Sequence, residues 1–300
     1  MEKIYDVLKG NILKKATLQL INKFRGSYII SLFLRFIFKP IHRLSYIIEN
    51  QIRMKVWING SQVKYDDALI NFPKNIGVNF CSSIYWNGTR GFEPNVWKTL
   101  RECISFSDSF IDIGSNIGFY SIMAKKTFPQ IPTYSYEPIK SIYEKNLLMH
   151  KENNLSTKNI FNVAISDKTG SAEIFLPPSL SLDEEATATL RKDSWQYKKA
   201  HTTYLVETIR LDDLKLIDYK NIVIKIDVED FEYNVFLGAK NLLEEKRPIV
   251  VCEILLREHK NLKSVELLFK LGYAIYAISN DGFFKFSKED FKSHRTLVIF

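Results

Sequence analysis

Three hundred residues with 46 % hydrophobic content can build one full core, or a core domain with an added segment. The formal net charge of +8 sits in the first 60 residues, which carry 11 Lys and Arg against three acids (Glu2, Asp6, Glu49); the remaining 240 carry 31 of each sign. A neutral body without a basic, aromatic-laced stripe argues against nucleic acid as a partner. Three widely spaced cysteines, Cys81, Cys103 and Cys252, support neither a disulfide framework nor a structural zinc site, and fit a reducing, cytoplasmic compartment.

In chain order, residues 1–55 read as a basic amphipathic helical extension broken near Gly26 and Pro40. Ser27 to Phe38 is apolar, but twelve residues containing Arg35 are too few to span a bilayer. With basic flanks it suits the headgroup region of an anionic inner membrane surface. The rival reading packs it on the catalytic domain or on a second copy, so a homo-oligomer stays open. Residues 56–90 read as small connecting strands, and Phe92–Ile104 as a helix. Glu93 lies near that helix start, where capping is the simpler role than reaching a pocket.

From residue 91 a second pattern begins. Strands at Phe110–Ile113, Thr133–Glu137, Asn159–Ser166, Ile222–Ile226 and Pro248–Ile254 alternate with helices at Ile117–Phe128, Lys140–Asn153, Tyr233–Glu245 and Lys263–Leu271. This predicts an α/β domain over 91–300, with a mostly parallel sheet covered by helices on both faces. Tyr273–Ser279 and Thr296–Phe300 close it as an antiparallel pair. A hairpin strand at Ala172–Leu176, a polar insertion over 177–202 and a strand at Thr203–Leu211 interrupt the alternation.

The chemistry gathers at strand ends. The first strand runs into Asp112, Gly114, Asn116 and Gly118, a tight turn from which a helix opens. Such a turn brings backbone close to a ligand, although glycine also ends many strands with no ligand in view. The G-x-G-x-x-G spacing of dinucleotide sites is missing. A negative Asp112 would repel a phosphate and could hold an ammonium or a water near one, which favours S-adenosylmethionine over NAD. Glu137, ending the second strand, is placed to accept ribose hydroxyls, and Asp167, after the third, to meet the adenine edge.

Asp227 and Glu229 follow the fourth strand, and Glu253 ends the fifth. Strand alternation would place Asp227 and Glu229 on one side, either of them a general base, with Glu253 orienting the acceptor and Lys225 holding the acids ionised. The acids could also ligate a divalent ion such as magnesium through Asp227 and Glu229, though none is expected. His201 and His259 rank below the acids as bases. In the 177–202 insertion, Trp195 and Tyr197 could stack on a sugar, with Lys225 and His201 as further substrate contacts.

The ordered set DIGSNIGFYS, YSYEP, NVAISDKTG, ETIRLDDL, VIKIDVEDFE, FLGAKNLL and PIVVCEI resembles the FkbM-type S-adenosylmethionine-dependent methyltransferases. The resemblance runs from about Gly91 to the C-terminus. It implies a class I methyltransferase fold, a Rossmann-like seven-stranded sheet with an antiparallel C-terminal strand. It also implies that the Asp112–Gly118 turn holds the methionine part, Glu137 the ribose, and Ala164 to Asp167 the adenine. One residue departs from the family pattern D-V-E-G-x-E: Asp230 stands where glycine is usual. If that position needs positive φ, Asp is among the less costly replacements. The expected activity is O-methylation of a hydroxyl, on a sugar of a surface glycan or lipid-linked saccharide. The rivals are a nucleotide-sugar or NAD enzyme, and an inactive partner in a membrane-associated glycan-assembly complex.

Overall fold

The computed structural model describes residues 29, 32, 33, 36, 62–73, 76, 79–176, 202–214, 218–254, 262–279, 282–286 and 295–299. Trp195, Tyr197, His201 and His259 lie outside these residues, as does most of the N-terminal extension. The chain divides into two compact units, Met1–Phe92 and Glu93–Phe300.

In the first unit, β1 (Gln62–Tyr65) and β2 (Ala68–Asn71) form an antiparallel hairpin. Its two-residue turn puts Asp66 at φ 51°, which Asp tolerates, and the Asp66 amide donates to Thr89 Oγ1 at 2.9 Å. Small connecting strands were expected over residues 56–90. Instead α1 (Asn79–Asn87) is a helix, followed by a 3-10 turn over Gly88–Gly91. Cys81, Ile84 and Tyr85 are buried together, an i, i+3, i+4 stripe that only a helix presents to one side.

The second unit opens with α2 (Pro94–Ser105). Then come β3 (Ser109–Ile113), α3 (Phe119–Thr127), β4 (Thr133–Tyr136), α4 (Lys140–Glu152) and β5 (Ile160–Phe161). After β6 (Ala164–Ile165), β7 (Gly170–Leu176) and β8 (Thr202–Ile209), the alternation resumes with β9 (Ile222–Ile226). The chain finishes with α5 (Glu232–Leu237), α6 (Lys240–Glu245), β10 (Ile249–Ile254), α7 (Leu262–Lys270), β11 (Ile275–Ser279), β12 (Gly282–Lys285) and β13 (Arg295–Ile299).

The main sheet runs β12-β11-β13-β10-β9-β3-β4-β5. Its β10-β9-β3-β4-β5 part is parallel, as expected from the alternation, and β13 lies antiparallel between β10 and β11. The sheet has eight strands rather than seven, because Gly282–Lys285 folds back on β11. Every residue of β3 and of β9 is buried, as a strand covered on both faces requires. From β3 the sheet grows one way through β3-α3-β4-α4-β5 and the other through β9-α5-α6-β10. The order therefore reverses between β3 and β9, and the ligand crevice of such a sheet lies at the strand ends there.

Two predicted elements are split. Asn159–Ser166 is not one strand: β5 joins the main sheet, while β6 leaves it to pair with β8 in a three-stranded sheet β6-β8-β7. The helix expected over Tyr233–Glu245 breaks at Gly238–Ala239 into α5 and α6. A side chain at Gly238 would lie 1.9 Å from the Ser166 carbonyl oxygen, so β6 presses on the break itself.

The start of α6 is capped from a distance. Asp212 accepts from the amides of Asn241 (3.2 Å) and Leu242 (2.9 Å) and from Arg210 Nη2 (2.9 Å). Replacing Asp212 with Ala should cost about 1–3 kcal/mol of stability, from buried charge-assisted hydrogen bonds lost. Urea unfolding of Asp212→Ala checks this, with ligand affinity in the crevice unchanged.

Candidate active site

The turn after β3 is left-handed at alternate residues: Gly114 at φ 72°, Asn116 at 51° and Gly118 at 79°. Two of the three sites tolerate no side chain. A Cβ at Gly114 would lie 1.8 Å from the Asp227 carbonyl oxygen, and one at Gly118 2.2 Å from Asn146 Oδ1. Asn tolerates positive φ best among the larger residues, and here its Oδ1 accepts from the Ile117 amide at 2.7 Å. The amides of Gly114 and Ser115 donate to the Tyr136 carbonyl at 3.0 Å each, and the Asp227 amide donates to Ile113 at 3.0 Å. The turn is thus knitted to β4 on one side and β9 on the other.

Two carboxylates hold it from below. Glu137 accepts from the Asn116 amide through Oε2 and from the Ile139 amide through Oε1, both at 3.0 Å. Asp112, wholly buried, accepts from the Ser121 amide at 3.1 Å. The backbone donors at this helix start are therefore largely spent on protein groups: Asn116 and Ser121 on acids, Ile117 on Asn116, and Gly118 on Ser115. A phosphate at a helix start needs those donors free, and two buried acids would repel it. The arrangement suits a cofactor that brings hydroxyls and positive charge. Burial raises the Asp112 carboxyl to about 6, against the opposing pull of Lys225. Burial likewise raises Glu137 to about 7, with its two amide hydrogen bonds pulling the other way.

A second cluster stands at the ends of β9 and β10. Lys225 Nζ lies 3.2 Å from Asp227 Oδ2 and 4.8 Å from the centre of the Tyr120 ring. Tyr120 donates its hydroxyl to Glu93. The carboxyls of Asp227 and Glu253 share a hydrogen bond. Burial works against the Lys225 charge, but Asp227, Asp112 and Glu93 outweigh it and hold that pKa above its usual value. Burial lifts Asp227; Lys225 draws it down, while Glu253 and Glu93 push it up, so the net direction is upward. The Asp227 side chain keeps 30 % of its surface exposed, enough to meet a ligand.

Several residues singled out in the sequence meet protein groups in the fold. Asp112 has no exposed surface and acts as a buried anchor of α3. Lys225 is 5 % exposed and donates to Asp227 Oδ2 at 3.2 Å. Glu229 does not continue the strand alternation, because the chain turns left-handed at φ 50°, so Asp227 pairs with Glu253. Glu93 makes no capping hydrogen bond, and its carboxylate reaches Tyr120. Ala164 is buried in β6, and Asp167 accepts from Ser166 Oγ and Asn234 Nδ2, both at 3.1 Å. Among the described residues, no group of three or more His, Cys, Asp or Glu side chains is set to hold a metal ion. Cys81, Cys103 and Cys252 form no disulfide.

Residues 112–275 match the family model of the methyltransferase FkbM domain. The chain belongs to the FkbM methyltransferase family. It is an S-adenosylmethionine-dependent methyltransferase by that membership. No curated protein matches it in sequence. Solved structures similar to it include precorrin-6y C5,15-methyltransferase from Geobacter metallireducens GS-15, at 13 % identity and a TM-score of 0.37 over 68 % of this chain and 85 % of that one. Methyltransferase FkbM from Methylobacillus flagellatus KT gives 13 % and 0.38 over 74 % and 54 %. An O-methyltransferase from Bacillus cereus in complex with SAH gives 10 % and 0.37 over 68 % and 78 %. The assignment rests on the family match rather than on these scores.

Where the FkbM pattern has glycine, Asp230 adopts φ 73°, the left-handed conformation that glycine would supply. Its amide donates to Glu232 Oε1 at 3.1 Å. Sequence reading missed Asn146, whose Nδ2 donates to Ser115 Oγ (3.0 Å), the Asn116 carbonyl (3.0 Å) and Ser135 Oγ (3.1 Å). The signal was there: Asn146, His150 and Asn153 fall on the buried stripe of α4 with Ile142 and Met149.

The raised Glu137 pKa has a measurable consequence. The native state keeps this proton where the unfolded chain, titrating near 4.5, has released it. The stabilisation is fully present below pH 4.5 and is lost as pH rises through about 7. Glu137→Gln cannot titrate, so the stability gap between wild type and variant should narrow by about 3 kcal/mol between pH 4.5 and 8. Urea unfolding across that range checks this; parallel pH profiles would contradict it.

Proposed function

We propose that this methyltransferase transfers the methyl group to a hydroxyl of a sugar, in a surface glycan or lipid-linked saccharide. The observation that carries the reading is the Asp227–Glu253 carboxyl pair beside Lys225, partly open at the end of β9.

S-adenosylmethionine fits the cradle by its chemistry. It carries ribose hydroxyls, an ammonium and a sulfonium but no phosphate, and it would meet acids beside a left-handed glycine turn. Glu137 would take the ribose, the Gly114–Gly118 turn the methionine part, and the Ala164–Asp167 segment the adenine. When bound, the cofactor supplies an electrophilic methyl group.

The chain's own residues supply alignment and a proton acceptor. A sugar hydroxyl is a weak nucleophile at neutral pH, so its proton must leave as the new bond forms. A carboxylate with an upward-shifted pKa is a better acceptor than an ordinary one. Asp227 is the general base in this reading. Glu253 orients the acceptor through the shared hydrogen bond, and Lys225 keeps the pair from becoming wholly protonated. Glu93 and Tyr120 hold Lys225 from the far side. Glu229, Trp195 and His201 remain candidate contacts to the acceptor.

Asp227→Asn should lower turnover by about 10²–10⁴-fold while S-adenosylmethionine affinity stays within about threefold. The assay follows a labelled methyl group into cell-surface and lipid-linked saccharide fractions. Label recovered as a sugar methyl ether is the expected result. Label found only in protein or nucleic acid, or full turnover by the variant, would contradict the reading.

A further inference from the structure

We infer that the N-terminal segment docks on an anionic lipid surface through Ile29, Leu32, Phe33 and Phe36. All four are helical, and their exposures are 75, 37, 62 and 82 %. Their spacing is i, i+3, i+4, i+7, which places them within an arc of about 100° on a helix. One large apolar side chain in water is ordinary; four on one stripe mark a contact surface.

Charge selects the occupant. The first 60 residues carry 11 Lys and Arg against three acids. A second copy of this chain meeting the same stripe across a two-fold axis would bring two such basic segments together, and like charges would oppose the contact. An anionic lipid surface accepts the apolar stripe into its headgroup boundary and attracts the Lys and Arg of the same stretch of sequence. Among the described residues no helix is long and apolar enough to cross a membrane. The inference stands apart from the acceptor chemistry, so each can fail without the other.

The full-length chain is sedimented with vesicles of phosphatidylcholine alone and of phosphatidylcholine with phosphatidylserine. Binding to the second, weaker at high salt, with an at least about tenfold loss in the Phe33→Asp, Phe36→Asp double variant, is the expected result. S-adenosylhomocysteine binding by the same variant, unchanged, shows that the fold is intact. Equal partition onto both vesicles, or no loss in the variant, would overturn the inference. So would a dimer in lipid-free buffer that the double variant abolishes, since a second copy would then cover the stripe.

Discussion

The site hangs on two acids placed beneath one turn. Asp112 and Glu137 occupy the amides of Ser121 and Asn116, where α/β nucleotide enzymes place a phosphate. Burying two carboxylates is costly unless their hydrogen bonds are satisfied, and the turn supplies those donors. The turn in turn keeps its left-handed residues because the acids hold it. Its geometry also fixes where the candidate base stands, since Gly114 lies against the Asp227 carbonyl with no room for a side chain. Cofactor cradle and candidate base are one backbone contact apart.

Charge balance continues from there. Lys225 sits on β9 beside Asp112 on β3 in register, so a single ammonium faces the anchor acid as well as Asp227. Glu93, Asp227 and Glu253 outnumber it. The crevice is thereby net acidic, which suits a cationic methyl donor and raises Asp227 as a proton acceptor. Arranging these charges takes five elements, α2, β3, α3, β9 and β10, and Glu93 at the head of α2 is bound to Tyr120 instead of capping its own helix.

The sequence exposed what is local. Alternate glycine and asparagine in the 114–118 turn, the apolar runs of β3 and β9, and an acid after each strand could all be read from spacing. It misled where a distant contact overrides a local rule. Strand alternation failed at Glu229 because a left-handed turn follows β9 at once. The helix over Tyr233–Glu245 broke because Ser166 presses on Gly238, a meeting between segments more than seventy residues apart. Asn159–Ser166 looked like one strand, but its two ends serve different sheets. Asn146 looked like an ordinary helix residue, and only the fold shows that it ties α4 to the turn and to β4.

Isothermal titration with S-adenosylmethionine and S-adenosylhomocysteine, on wild type and Glu137→Ala, tests the central claim most directly. The account predicts saturable binding of both to wild type and a loss of more than about tenfold in the variant, since the acid holds the turn and, in the proposed reading, would accept the ribose. Absence of binding to the wild-type chain, or binding that Glu137→Ala leaves intact, would contradict it.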